Sequence, residues 1–191
     1  MQKENSSDNN STRTFICIDL PDEIIKEVAR LQSIIEKNLK FTGKITELEN
    51  LHLTLKFLGE INSEVLDKIK SRLSKIKFPA LNLKLAEAGT FSYSGNPKII
   101  WLKIQGKDIF NLQKQIDIAL ENFFSKEERF MSHLTIARIK YVKDKSFFIT
   151  YIKNIKPKSI KFQVNEIKLK SSELQPQGPI YTTIEEFKAE E

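Results

Sequence analysis

The chain reads Leu51-His52-Leu53-Thr54-Leu55 at one place and Ser132-His133-Leu134-Thr135-Ile136 at another. Each stretch contains His-Leu-Thr followed by an aliphatic residue, and together they hold both histidines of the 191-residue sequence. With ordinary residue frequencies, two such quartets arise by chance in roughly one of several thousand chains of this length. The repeat therefore indicates two related elements with a shared role.

Both quartets fit the alternating pattern of a β-strand. Side chains two residues apart on a strand point to the same face, so His52 lies beside Thr54, and His133 beside Thr135. The aliphatic residues between and after them point to the other face, where helices can cover them. A single histidine on a strand is most often a surface or structural residue, whereas two matched copies favour a function.

Two histidines suit the chemistry of a phosphodiester near neutral pH. One neutral imidazole can take a proton from the attacking oxygen while the other, protonated, gives one to the leaving oxygen. These oxygens lie on opposite sides of the phosphorus, and two strands that face each other across a groove can serve both. The hydroxyls of Thr54 and Thr135 can donate hydrogen bonds to the non-bridging oxygens.

Other catalytic chemistries fit the sequence less well. A zinc site would need Cys, His or carboxylate ligands grouped with the histidines, and neither quartet contains Asp, Glu or Cys. The chain has no Gly-x-Ser-x-Gly nucleophile motif. Its six glycines form neither a Walker motif nor a dinucleotide-binding motif. These chemistries therefore fit the sequence less well than proton transfer by the two histidines.

The charge balance favours a polyanionic partner. The chain has 31 basic and 25 acidic residues, for a formal charge of +6, and the basic residues occur along its whole length. Such an excess attracts nucleic acids. The alternative is a lysine-rich surface that serves only solubility.

The first residues of the chain and its single cysteine indicate the domain organisation and the cellular compartment. Residues 1–12 are polar and low in complexity, so we expect a disordered leader before a single domain over residues 13–188. Cys17 lies in an apolar run, has no disulfide partner and is expected in the core. No signal peptide or membrane span is recognisable, which predicts a cytoplasmic protein.

The periodicity of apolar residues predicts a mixture of helices and strands. Helices are expected at residues 24–39, 62–76, 109–124 and 146–152, and strands at residues 14–20, 51–58, 81–91, 98–105, 129–139, 159–170 and 180–187. Several strands follow each other too closely for helical crossovers, so the sheets should be largely antiparallel, with helices on one face. The predicted fold class is α+β.

The sequence resembles the 2H phosphoesterase superfamily, and within it the RNA 2′,3′-cyclic phosphodiesterases, also called 2′-5′ RNA ligases. The likeness runs from about Arg13 to Phe187. It rests on four stretches: the opening from Arg13 to Pro21, the first motif from His52 to Gly59, the second motif from His133 to Arg138, and the ending from Ser172 to Tyr181.

The resemblance implies a bilobal fold in which two similar β-sheet lobes, with helices on their outer faces, place the motifs across a central cleft. It also implies that the site uses no metal and no organic cofactor, and it implies roles for individual residues. His52 is the expected proton donor to the leaving 3′ oxygen, and His133 the expected proton acceptor from water. Thr54 and Thr135 would bind the phosphate, and Arg138 would add a charge-assisted contact.

Two candidate substrate-binding residues depend on the local course of the strands. Strict alternation from His133 would turn Arg138 to the apolar face, so a bulge or a strand end must redirect it to the cleft; otherwise it is a surface arginine. Phe57 is a candidate for stacking on a base, and the alternative is a core position beside Leu58.

The expected function is hydrolysis of a terminal RNA 2′,3′-cyclic phosphate to a 2′-phosphomonoester. The substrates would be RNA ends, tRNA fragments among them, and the enzyme would act as a monomer away from membranes. One alternative is 2′-5′ ligation, with an RNA 5′-hydroxyl in place of water. Others are hydrolysis of small cyclic nucleotides and a non-catalytic RNA- or nucleotide-binding module.

Overall fold

Nine strands form one curled antiparallel sheet in the computed structural model of the chain, which describes residues 11–190. The strands are β1 (Thr12–Asp19), β2 (Phe41–Ile45), β3 (His52–Ile61), β4 (Leu81–Tyr93), β5 (Asn96–Gln105), β6 (His133–Val142), β7 (Lys161–Val164), β8 (Glu166–Gln175) and β9 (Gly178–Lys188). The helices are α1 (Asp22–Asn38), α2 (Ser63–Leu73), α3 (Asp108–Ala119) and α4 (Lys145–Asn154), and a 3₁₀ turn covers Leu48–Asn50.

The sheet divides into two lobes where β3 meets β6. The strand order is β7-β4-β5-β6-β3-β1-β8-β9, and β2 adds to β6. Strands β3 and β6 share only one register pair, Leu53 with Leu134, before they diverge. The two His-x-Thr strands are therefore neighbours at the centre of the sheet, with β1, β8 and β9 in one lobe and β5, β4, β7 and β2 in the other. This arrangement confirms the predicted α+β bilobal fold.

Apolar helix faces cover the sheet and close the core. Helix α1 buries Ile24, Val28, Leu31 and Ile35, spaced at three to four residues as one face requires. Helix α2 begins after Asn62, whose side chain accepts a hydrogen bond from the Val65 amide at 2.9 Å, a stabilising N-cap. Within residues 11–190, no helix is both long and apolar enough to cross a membrane.

Strand β1 contains Cys17 and begins next to the predicted leader. Cys17 is fully buried in this strand, as expected, and burial raises the pKa of its thiol to about 12. Of the predicted leader, residues 1–10 lie outside the described residues. Thr12 belongs to β1, so the strand starts one residue before the predicted boundary.

Two predictions about the strands were wrong. Strand β2 was not predicted, because it is an edge strand with Gly43 at its centre. That glycine is required, since a Cβ there would lie 2.3 Å from the Arg138 carbonyl oxygen. The single strand expected at residues 159–170 is two strands, which pair in different lobes: β7 with β4 and β8 with β1. Asn165, between them, carries no turn signal of glycine or proline.

Candidate active site

His52 lies at the start of β3, where a backbone carbonyl and two aromatic rings contact its imidazole. Its Nδ1 lies 2.8 Å from the carbonyl oxygen of Asn50. The ring packs against Phe15, at 4.8 Å between centroids, and meets Tyr181 edge-on at 5.2 Å. These contacts fix both the plane of the imidazole and its position along the strand.

His133 is held in the same way at the start of β6. Its Nδ1 lies 2.7 Å from the carbonyl oxygen of Met131, again two residues before the histidine. Phe91 packs edge-on against the ring at 5.0 Å. Because a carbonyl can only accept, Nδ1 carries the proton in both neutral rings. Nε2 is therefore the nitrogen that gains or loses a proton in each histidine.

A β-bulge after each threonine redirects the rest of the strand. Residues Leu55 and Lys56 of β3 together oppose the single residue Ile16 of β1. In β6, Ile136 and Ala137 together oppose Ile100 of β5. The two strands consequently share one burial pattern over all ten residues. Each bulge shifts the alternation by one residue.

The bulges decide where Phe57 and Arg138 point. Both residues occupy the same place in their strands, and both face the cleft instead of the helices. Phe57 is 67% exposed, so it is not a core residue. Arg138 also lines the cavity, because the bulge at Ile136 and Ala137 turns it to the cleft face, as the sequence analysis expected of a bulge at this point.

All six predicted site residues line one cavity of about 590 Å³ between the lobes. They are His52, Thr54, Phe57, His133, Thr135 and Arg138. The remaining lining residues are Arg13, Thr14, Phe15, Lys44, Ile45, Thr46, Glu47, Asn50, Ile99, Ser172, Leu174, Pro179 and Tyr181. The cavity thus combines two imidazoles, hydroxyls and cationic groups with aromatic and aliphatic walls.

The charges that line the cavity favour an anion. Lys44 is paired with Glu47. Arg13 and Arg138 form no ion pair with any residue in the range 11–190. Two guanidinium groups are therefore available to a bound phosphate, which they can contact through paired N–H donors.

Burial lowers the pKa of both histidines below the ordinary value of 6.5. The hydrogen bonds to the Asn50 and Met131 carbonyls oppose this shift, and the positive charge of Arg138 lowers both pKa values further. This environment consequently favours the neutral form of both imidazoles at pH 7. A bound phosphate anion acts in the opposite direction, because negative charge stabilises an imidazolium.

Several residues of the site gave no clear signal in the sequence. Phe15 and Tyr181 reach His52 from β1 and β9, which are distant from it in the chain. Asn50 contributes through its backbone carbonyl, and its side chain donates to the Pro179 carbonyl at 3.1 Å. Alternation from Phe15 would have placed Arg13 on the cleft face. Backbone acceptors, by contrast, have no residue-type signature.

The two bulges differ most in one side chain: Lys56 in β3 stands where β6 has Ala137. The Lys56 ammonium is buried behind β3, 2.5 Å from Asp117 on α3 and 2.8 Å from the Ser125 carbonyl. Asp117 also accepts from Gln113 and from the Glu127 amide, and these donors hold its pKa low although burial raises it. Ala137 stands at the equivalent place in β6. The ion pair therefore joins β3 to α3 and has no counterpart at Ala137.

The chain matches a known protein family over most of its length. A model of the family described as LigT like Phosphoesterase matches residues 18–101 and 103–181, which include both His-x-Thr motifs. The match extends over most of the chain and includes the strands of both lobes.

Curated relatives match along nearly their whole length. An RNA 2′,3′-cyclic phosphodiesterase of Methanocaldococcus jannaschii is 36% identical over 178 residues, which cover 92% of this chain and 99% of the relative. A protein of the same name from Thermotoga maritima is 35% identical, over 93% of this chain and 96% of its own.

Solved structures share the fold. A protein of Thermus thermophilus superposes with a TM-score of 0.77 at 24% identity, over 92% of this chain and 97% of its own. Escherichia coli LigT, crystallised with 3′-AMP, superposes with a TM-score of 0.76 at 23% identity, over 95% of this chain and all of its own.

Proposed function

Because this chain belongs to the LigT-like phosphoesterase family, we propose that it hydrolyses the 2′,3′-cyclic phosphate at the end of an RNA, leaving a 2′-phosphomonoester. One observation carries the proposal: two histidines, each held through Nδ1 by a carbonyl, share one cavity with two threonines and two arginines that form no ion pair within residues 11–190. The names of the curated relatives support the choice of substrate.

The reaction requires one proton to be taken and one to be given. Water attacks the phosphorus while Nε2 of neutral His133 accepts its proton. The bond from phosphorus to the 3′ oxygen breaks, and Nε2–H of protonated His52 donates a proton to that oxygen. Each histidine then holds the protonation state that the other began with, and proton exchange with water restores the enzyme.

The non-bridging oxygens of the phosphate need donors throughout the reaction. Thr54 and Thr135 stand two residues after the histidines on the same strand faces, so their hydroxyls can reach the same phosphate. Arg138 adds a charge-assisted hydrogen bond, which is about twice as strong as a neutral one. Phe57 offers an exposed ring on which the terminal base can stack.

The biological setting follows from this chemistry. The substrates we propose are RNA ends produced by cleavage that leaves a cyclic phosphate, tRNA fragments among them. We propose a cytoplasmic enzyme that acts as a monomer, since one chain supplies both histidines, both threonines and Arg138.

Turnover should survive removal of metal ions. The two imidazoles provide both proton transfers, and hydroxyls and guanidinium groups stabilise the phosphate charge. An RNA oligonucleotide ending in 2′,3′-cyclic phosphate is incubated with the enzyme in excess EDTA, and the position of the phosphate is read by NMR. We expect an unchanged rate and a 2′-phosphate. Loss of turnover that only a divalent metal restores would contradict the mechanism.

Arg138→Met should lower kcat/KM for 2′,3′-cyclic AMP by about 10-fold, the order expected for a lost charge-assisted contact. The same change removes a positive charge that lowers the pKa of both histidines. Protonated His52 should then persist to higher pH, and the alkaline limb of kcat/KM should move upward. Lys140→Met, also on β6 but outside the cavity, is the control. A reduced rate with an unmoved limb would show that Arg138 does not face the imidazoles.

A further inference from the structure

One segment late in the chain carries a large excess of basic residues. Residues 140–161, here called the basic segment, contain one acidic residue, Asp144, and seven lysines: Lys140, Lys143, Lys145, Lys153, Lys156, Lys158 and Lys161. Its formal charge of +6 equals that of the whole chain, because the other residues contain 24 basic and 24 acidic side chains. Residues 68–86 have the same formal charge and no acidic residue. There, however, three of the six basic side chains are in ion pairs: Lys68 with Glu64, Lys70 with Asp67 and Glu185, and Lys77 with Glu190.

The structure leaves this charge open to solvent. All seven lysines are exposed. None of them forms an ion pair with another residue in the range 11–190. Asp144 caps helix α4, where its side chain accepts from the Phe147 amide at 2.9 Å. The positive charge of the basic segment is therefore available to a polyanion.

Aromatic side chains stand among the exposed lysines. Tyr141 is 63% exposed at the end of β6, and Phe147 is 56% exposed on α4. The Phe147 ring lies 6.0 Å from that of Tyr151. Helix α4 already buries Phe148 and Ile152, so the core does not need the exposed rings. Lysines interleaved with exposed aromatic rings are typical of surfaces that bind single-stranded nucleic acid.

Strand β6 connects the basic segment to the cleft. It carries His133, Thr135 and Arg138 in the cavity and ends beside Tyr141. A strand rises about 3.3 Å per residue, so Thr135 and Tyr141 lie about 20 Å apart. Two residues then lead to α4. Helix α4 packs on the helix-covered face of the sheet against β4 and β5. An RNA chain that leaves the cleft along β6 would therefore pass Tyr141 and Lys143 at the end of the strand before it reaches the lysines of α4.

We propose that the basic segment binds the body of the RNA whose cyclic phosphate end occupies the cleft. The inference rests on the proposed function and makes an RNA chain, instead of a free cyclic nucleotide, the preferred substrate. Charge complementarity and the exposed rings select single-stranded RNA. A membrane surface fits less well, because an interfacial helix needs a free apolar face and that of α4 is buried against the sheet.

The test compares two triple variants with the same change of charge. Lys143→Glu, Lys145→Glu and Lys153→Glu together alter the basic segment. Lys75→Glu, Lys107→Glu and Lys114→Glu alter exposed lysines elsewhere that form no ion pairs with described residues. For each, kcat/KM is measured on 2′,3′-cyclic AMP and on a single-stranded RNA with a cyclic phosphate end.

The basic-segment variant should lose about 10-fold or more in kcat/KM on the RNA, through KM, and keep its rate on cyclic AMP. The slope of log KM against the logarithm of the salt concentration should become shallower by about three, because each lysine that contacts a phosphate contributes about one to this slope. The control variant should resemble the unmodified protein on both substrates. Equal losses in both variants, or none in either, would overturn the proposal. Unaltered turnover of cyclic AMP shows that each variant is folded.

Fluorescence anisotropy with the same RNA lacking its cyclic phosphate separates this proposal from the proposed function. If no substrate is turned over, the proposed function fails, and weaker RNA binding by the basic-segment variant alone still supports the surface. A second variant, Tyr141→Ala with Phe147→Ala, should weaken RNA binding without changing the charge. Binding of anionic lipid vesicles that these changes abolish while RNA binding persists would overturn the proposal.

Discussion

His52→Ala and His133→Ala should each lower kcat on a cyclic-phosphate RNA by about 10²- to 10⁴-fold, the range of a lost general acid or base. Each variant removes one of the two proton transfers and leaves the phosphate donors in place. KM should therefore change far less than kcat. Single-turnover kinetics with saturating enzyme would measure the chemical step itself.

The double variant should be little slower than the slower single variant, since both histidines act in one step. Glu60→Ala provides a control on the same strand as His52, because Glu60 is exposed and lies outside the cavity. Near-normal turnover by either histidine variant would show that the pair is not the acid and base, and the non-catalytic binding module would take its place.

The combined change of Thr54→Val and Thr135→Val should lower kcat/KM by about 10²-fold, with about 10-fold from each residue. Valine keeps the volume and the β-branched shape, so the change removes two hydroxyl donors from the cleft and little else. The pH dependence should keep its limbs, because threonine does not titrate in this range.

Thr42→Val is the matched control for the threonine pair. Thr42 is an exposed threonine in β2 that does not line the cavity. It should leave kcat/KM unchanged. A loss in the control as large as that in the double variant would mean that the threonines of the cleft act through the stability of the sheet.

The local pattern of the sequence predicted where the histidine and the threonine of each motif point. Alternation places His52 with Thr54 and His133 with Thr135, and the structure shows all four in one cavity. The same rule fails one step later, because each strand has a bulge directly after its threonine. A bulge inserts a residue without a composition signal, so only pairing with β1 and β5 reveals that Phe57 faces the cleft.

Contacts between distant parts of the chain also explain the other features that the sequence did not predict. Strand β2 is stabilised by β6, which is far later in the chain, and its own five residues show no strong alternation. The chain crosses from one lobe to the other at Asn165, between β7 and β8. The carbonyls of Asn50 and Met131, which orient the imidazoles, are backbone groups that any residue could supply. Such features are set by tertiary structure.

The distinct roles of the two histidines are the central claim, and a leaving group that needs no proton tests them most directly. Bis(p-nitrophenyl) phosphate releases p-nitrophenolate, which is a stable anion near neutral pH, so its hydrolysis requires a base but no acid. If His52 is the acid and His133 the base, His52→Ala should hydrolyse this ester at close to the unmodified rate, while His133→Ala should remain slow. Rescue of His133→Ala instead, or of neither variant, would contradict the assignment.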